Sequence, residues 1–348
     1  AEKIPSWREI EEIWYPKHLS LEQCSSEITA RYKARLFQGD SLTDLTGGFG
    51  IDCSFLATGF KSATYVERQE ELCEIAAHNF PILNLNHINV RNEDGVAYLQ
   101  TMSPVDCIFL DPARRNEHGG KTVAISDCEP NVAELEALLL SKANRVMIKL
   151  SPMLDLSLAL KELKHTQEIH ILSVNNECKE LLILLRQTSP AEIAIHCVNL
   201  LTKGTQEEQH LVFTREQEQR SQCTYTDSLG NYLYEPNASL LKAGAFRSIA
   251  AAYPVRKLHP NSHLYISDSF IENFPGRIFR IVNQCSFNKK EVKENLADLK
   301  KANVTVRNFP ATVAELRKRL HLTEGGDTYL FASTLNNGQK VIIRCEKV

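Results

Sequence analysis

The stretch Asp44–Asp52 reads DLTGGFGID. An apolar run, Ser41–Thr46, leads into it, and an amphipathic stretch, Ile51–Ala57, leads out. Gly47, Gly48 and Gly50 therefore fall on a strand-to-helix turn. Glycine lets the chain turn tightly there and brings bare backbone against a ligand. The same grammar then repeats. Strand-like runs Ala63–Val66, Ile88–Val90, Val105–Leu110, Arg145–Leu150 and Glu168–Val174 alternate with helical stretches Glu70–Asn79, Gly95–Gln100, Val132–Lys142 and Leu154–Leu163. Alternation of this length predicts an α/β fold, a doubly wound and mostly parallel sheet with helices on both faces. Lys179–Arg186, Ile193–Leu201 and Leu211–Thr214 read as antiparallel pieces on the sheet edge, although ELLILL in the first of them suits helix or strand.

Outside this block the pattern changes. Residues 1–39 read as a helical segment that starts at Ser20 and carries an apolar stripe of Leu21, Cys24, Ile28, Tyr32 and Leu36. It serves either as a cover helix or as one that leans over a ligand mouth. Arg215–Asn231 is polar and reads as a boundary. Beyond it, Asn237–Ala252, Lys289–Lys301 and Val313–Arg319 read as helices. His263–Ser267, Arg277–Val282, Val304–Asn308, Thr328–Ser333 and Lys340–Cys345 read as strands, forming a smaller α/β or α+β domain at 232–348. The glycine-turn domain then occupies 40–215.

The turn's chemistry narrows its ligand. G-G-x-G departs from the G-x-G-x-x-G of dinucleotide sites. Asp44, ahead of the glycines, would repel a pyrophosphate but suits the ammonium of a methionine moiety. S-adenosylmethionine is thus expected rather than NAD, with Asp44, Thr46, Gly47, Gly48 and Gly50 as its contacts. Glu67 ends the next strand, where a carboxylate can hold both ribose hydroxyls. Asp94 follows the third strand and suits either the adenine amino group or the cap of a helix starting near Gly95. DPARR, Asp111–Arg115, follows VDCIFL, the expected central strand. Pro112 stops that strand, and Asp111 is presented in the ligand crevice. Arg114 and Arg115 could hold a phosphate or carboxylate. Asp111, Pro112 and Arg114 are the catalytic candidates. Lys149 and Ser151 end the fifth strand beside the same crevice. The polar loop Asn116–Asn131, with Gly119, Gly120 and Lys121, could close over a substrate. Cys178 reads as an ordinary half-buried thiol.

Composition bounds the rest. The chain has 348 residues, 43% hydrophobic and 24% charged, which suits two or three globular domains and excludes disordered and fibrous classes. No run of eighteen apolar residues occurs, and AEKIPSWREIEE is no apolar leader, so no membrane span is expected. Ten cysteines without a CxxC pair point away from a zinc site and toward buried thiols in a reducing, cytoplasmic setting; no metal is expected. A net charge of −3 neither favours nucleic acid nor forbids a local basic face. The oligomeric partner is left unknown.

Together these residues resemble the class I S-adenosylmethionine-dependent methyltransferases, over about residues 20–185. Asp44–Asp52 resembles the first motif, Glu67 the ribose acid and Asp94 the adenine-side acid. The resemblance implies a Rossmann-like methyltransferase sheet. Asp111-Pro112 matches the start of the D/N-P-P-Y/F element of amino-methyltransferases, and the match breaks at Ala113 and Arg114. DPARR is also similar to the DPPR element of RNA uracil-5 methyltransferases, but Val174 stands where their cysteine would be. EQCSSEITARYKA, DPARR and the C-terminal part look more specifically like a bacterial group of methyltransferases with a THUMP-like C-terminal domain. That resemblance implies methyl transfer to an RNA nucleobase, with tRNA or rRNA as partner. Arg256, Lys257, Arg277, Lys289 and Lys290 would then face RNA. Alternatives are methylation of protein or a small molecule, a non-catalytic S-adenosylmethionine- or RNA-binding protein and, more weakly, an NAD enzyme.

Overall fold

The computed structural model describes residues 3–16, 24–114, 124–188 and 190–348, with the backbone alone at Arg114. The chain forms two compact units: Ala1–Val174 with Cys178–His196, and Asn175–Glu177 with Cys197–Val348.

In the first unit the strands are β1 (Gly39–Asp44), β2 (Phe60–Glu67), β3 (Ile88–Asn92), β4 (Val105–Leu110), β5 (Ala143–Leu150), β6 (Thr166–Val174) and β7 (Glu177–Leu185). Their spatial order is 3-2-1-4-5-7-6. The first five pair in parallel, and β7 runs antiparallel to β5. β4, VDCIFL, is buried from Cys107 to Leu110, the mark of a central strand covered on both faces. The expected edge position of Lys179–Arg186 is corrected: β7 lies inside the sheet, between β5 and β6. Glu180 through Leu185 are all buried, so ELLILL needs cover on both faces and takes an internal position. A two-residue turn makes this possible. Asn175 and Asn176 have φ 47° and 68°, and two left-handed residues match the twist of a tight hairpin.

Besides the short helix Pro5–Arg8, the helices are α1 (Glu27–Leu36), α2 (Ile51–Ala57), α3 (Glu70–Ile82), α4 (Gly95–Thr101), α5 (Val132–Lys142) and α6 (Leu156–Glu162). Of the expected stripe on α1, Tyr32 is buried and Ile28 and Leu36 are half-buried. The buried face of this helix is Thr29, Ala30, Tyr32 and Lys33. Ser20 and Leu21, like Arg115, Gly119, Gly120 and Lys121, lie outside the described residues. Among the described residues, no helix is long and apolar enough to cross a membrane.

The second unit is built on a seven-stranded sheet. Its order is Arg256–Lys257, Tyr265–Ser267, Tyr232–Pro236, Gly276–Ser286, Lys340–Lys347, Thr328–Thr334, Asn303–Arg307. All pairs are antiparallel except the last, which is parallel. Phe331, Val341 and Ile343 face one apolar cluster while Leu330, Ala332 and Ile342 face another, the period-two alternation of a sheet covered on both sides. Leu296 and Leu316, from helices Lys289–Leu296 and Val313–Leu320, close the second cluster. The expected helix Asn237–Ala252 is two helices, Ala238–Ala243 and Phe246–Ala252, broken at Gly244 with φ +72°. Two expected RNA-facing cations serve the fold instead. Lys257 is 2% exposed and donates to the Pro260 carbonyl. Arg277 donates to the buried carboxylate of Glu235 at 2.7 Å. Lys289 and Lys290 are exposed.

Candidate active site

β1 ends where the turn begins, and its hydrogen bonds carry on into the turn: Leu45 N–H donates to Phe109 and Gly47 N–H to Val66. Two glycines of the turn need their lack of a side chain for different reasons. A Cβ on Gly47 would stand 2.2 Å from the Tyr65 ring, and Gly50 caps α2 in the left-handed region at φ +85°. The Tyr65 hydroxyl also donates to the Gly48 carbonyl, so β2 holds the turn from below. Asp44 is 1% exposed; one oxygen accepts from Thr46 N–H at 3.0 Å and the other, Oδ2, has no partner. Burial pushes its carboxyl well above the ordinary value against the Thr46 hydrogen bond, and the nearby carboxylates of Asp52, Asp111 and Glu67 add to the push.

Glu67 stands across the turn. Its Oε2 accepts from Gly48 N–H and its Oε1 from Gln69 N–H, each at 2.9 Å. A carboxylate has about four acceptor sites, so each oxygen keeps one for a vicinal diol. Asp94 caps α4: its Oδ1 accepts from Val96 and Ala97 N–H at 3.0 Å, and it also lines the cleft. A Cβ on Gly95 would stand 2.1 Å from the Leu45 carbonyl oxygen, so α4 packs its first residue directly on the β1 turn.

Asp111 follows β4. Its N–H donates to Thr46 Oγ1 at 2.6 Å, which ties DPARR to the glycine turn. Its carboxylate, 37% exposed at the cleft, accepts from Lys149 Nζ at 2.5 Å. Pro112 is buried, and Ala113–Arg114 pairs with Cys128–Glu129 in a short ribbon. The side chain of Arg114 lies outside the described residues. Lys149 also reaches Asp52 at 3.4 Å. Burial alone would pull its ammonium down, but Asp111, Asp52 and Glu180 outweigh burial and hold it well above its ordinary value.

Behind this pair lies a group that sequence reasoning passed over. Lys33 Nζ, with no exposed side-chain surface, sits 2.6 Å from Glu180 and 3.0 Å from Asp52, and Ser25 Oγ donates to Asp52 at 2.7 Å. Burial would raise the Asp52 carboxyl, yet Lys33 and Lys149 bring it to about 2. Asp52 was visible as the end of the glycine segment. Lys33 and Glu180 are 147 positions apart, and no local pattern joins them.

Asp44, the glycine turn, Asp52, Glu67, Asp94, Asp111, Lys149 and Glu180 line one cleft of about 1160 Å³, with Lys33 buried behind it. The unpartnered buried Asp44 Oδ2, the bare backbone of the glycine turn and the spare acceptor sites of Glu67 fit the ammonium, thioether and ribose portions of S-adenosylmethionine. The strand order, the antiparallel β7, the glycine turn after β1 and the acid closing β2 define a class I methyltransferase fold. Over residues 232–275 the chain matches a family model described as a ferredoxin-like domain, and over 276–347 one described as THUMP domain-like. Along nearly its whole length it resembles the crystal structure of a protein from Porphyromonas gingivalis W83 assigned as a methyltransferase. Identity is 37% and the TM-score 0.90, over 99% of this chain and 86% of that one. The chain belongs to this family of methyltransferases with a THUMP-like C-terminal domain. Two partial likenesses are weaker. An rRNA methylase from Streptococcus thermophilus matches at 14% identity and TM-score 0.33, over 46% of this chain and 93% of that one. SMU.1697c from Streptococcus mutans, in complex with SAH, matches at 14% identity and TM-score 0.34, over 46% of this chain and 96% of that one. No curated protein matches the chain.

Proposed function

We propose that the chain transfers a methyl group from S-adenosylmethionine to an RNA nucleobase. The observation that carries the donor is the buried Asp44, with one carboxylate oxygen unpartnered, at a glycine turn facing Glu67. When bound, the cofactor supplies an electrophilic methyl carbon, so the protein's task is alignment and exclusion of water. On this reading Asp44 receives the ammonium, Thr46, Gly47, Gly48 and Gly50 line the methionine side, Glu67 holds the ribose, and Asp94 reaches the adenine with the oxygen that does not cap α4. Asp111 accepts a hydrogen bond from the acceptor base. Lys149 fixes one of its carboxylate oxygens and Thr46 its backbone, so the other oxygen faces the cleft in a set direction. The Pro112 backbone completes the platform, and Arg114 holds a phosphate or base edge. A paired base would be flipped out to reach the cleft. On this reading 40–215 is the cofactor domain and 232–348 the THUMP-like domain, and the described residues ahead of them contribute the helices Pro5–Arg8 and Glu27–Leu36. The THUMP-like match supports RNA over protein as acceptor, since THUMP domains are associated with tRNA and rRNA modification. All ten cysteines are free thiols, which supports a cytoplasmic setting.

The test is calorimetry with S-adenosylmethionine, then radiolabelled methyl transfer to RNA, protein and small-molecule fractions from cells lacking the gene. Label in RNA supports the reading; label only in protein or small molecules moves the acceptor; tight binding without label in any fraction removes the catalytic role. Asp111→Ala is expected to keep cofactor affinity and lose transfer.

A further inference from the structure

We propose that Glu168, His170 and His196 form a binding site for one divalent transition-metal ion of the zinc class. Glu168 and His170 are two apart on β6, so both project from one face of the strand while Ile169 and Ile171 project from the other. His196 comes from the strand Ala194–Leu200. Glu168 Oε2 lies 3.4 Å from His196 Nε2 and 3.8 Å from His170 Nε2, and one donor atom from each residue falls within 4.8 Å of the others. Two ligands on a tetrahedral zinc ion stand about 3.3 Å apart. One separation already has this value, and the others close by small side-chain rotations.

The geometry singles out His170. The residue is 2% exposed and its Nε2 has no hydrogen-bond partner. Its other nitrogen, Nδ1, lies 2.7 Å from the Tyr32 hydroxyl. When Nδ1 carries the proton and donates to Tyr32, Nε2 keeps its lone pair on the side of Glu168, the arrangement in which an outer partner orients a metal-bound imidazole. The His170 and His196 rings stack at 4.3 Å and 10°, so their Nε2 atoms are offered side by side. Glu168 and His196 are part-exposed, at 30% and 20% of their side chains, which leaves an entry path and a fourth position for water. Two imidazoles and one carboxylate form a nitrogen–oxygen donor set suited to zinc, and none of the ten cysteines belongs to it. The ion would join β6 to the strand Ala194–Leu200. Through Tyr32 it would steady α1, whose Lys33 reaches Asp52 at the cleft.

The full chain, stripped with a chelator, is titrated with Co²⁺ under reducing conditions and followed by visible absorption, with zinc calorimetry in parallel. The expected result is one equivalent bound, with d–d bands but no thiolate-to-cobalt charge transfer, and a rise in Tm on binding. Glu168→Gln and His196→Ala, both part-exposed and expected to fold, lower affinity at least tenfold and abolish the Tm rise; His170→Ala does the same if it folds. Tyr32→Phe weakens binding about tenfold with the spectrum unchanged. No stoichiometric binding, a thiolate spectrum, or full affinity in Glu168→Gln and His196→Ala overturns the site.

Discussion

At the scale of single residues, the candidate site trades stability for binding. Asp44 is buried with an unsatisfied oxygen and three carboxylates nearby, and its folded pKa is raised above the ordinary 3.8. A carboxyl shifted this way contributes its full stability below pH 3.8, and that contribution is lost as pH rises through the folded value. Asp44→Asn removes the penalty. Its Tm is expected to match wild type near pH 3.8, to exceed it increasingly as pH rises, and to keep a constant lead above the folded pKa. The same variant should bind S-adenosylmethionine about 10- to 100-fold more weakly, the worth of a hydrogen bond to a charged group. Paired thermal melts and calorimetry across pH check both; equal Tm values at all pH would deny the buried charge. Glu67 and Asp111 were legible in the sequence because each follows an apolar run, where strand ends and ligand crevices coincide, and Asp44 because it stands just ahead of the glycines. Lys257 and Arg277 were misread as RNA-facing because a cation looks solvent-bound until its acceptors, the Pro260 carbonyl and Glu235, are brought to it by folding.

Elements carry the next level of the design. α1 holds a lysine with no exposed side-chain surface against Glu180 of β7 and Asp52 of α2. Removing one partner of a buried pair strands the other charges, at about 3–5 kcal/mol. Lys33→Met should therefore lower unfolding free energy in urea by about that amount, and Lys33→Met with Glu180→Leu should regain much of it. A loss near zero would mean that α1 is not tethered by this group. Gly95→Ala tests the other wall: its methyl meets the Leu45 carbonyl, so α4 must move off the β1 turn. The expected cost is about 1–3 kcal/mol, together with weaker cofactor binding. Element type was readable wherever periodicity or an unbroken apolar run was strong, and β4 and α5 run from Val105 to Leu110 and from Val132 to Lys142 as expected. The place of β7 was not readable, because ELLILL records burial on both faces but not which strands supply the cover.

At the scale of the whole chain, charge decides how RNA could be held. The net charge is −3, and many cations of the second unit are already paired: Arg256 with Asp268, Arg280 with Glu346 and Arg344 with Asp298, while Arg277 and Arg307 share Glu235, which offsets one of their two charges. A phosphate would have to displace a carboxylate to reach these side chains. Lys289 and Lys290 differ: both are exposed at the start of the helix Lys289–Leu296, and the first turn of a helix adds positive field to theirs. If the second unit holds RNA, these two lysines release counterions on binding, and each contributes about 0.7–0.9 to the slope of log affinity against log salt. Lys289→Gln with Lys290→Gln should lower RNA affinity at low salt and reduce that slope by about 1.5. Their distance in sequence from the glycine turn leaves the calorimetric affinity for S-adenosylmethionine as the control, expected to stay at the wild-type value. An unchanged salt slope would move the RNA contact away from this helix, and a changed cofactor affinity would show that the substitutions act through the fold rather than through phosphate.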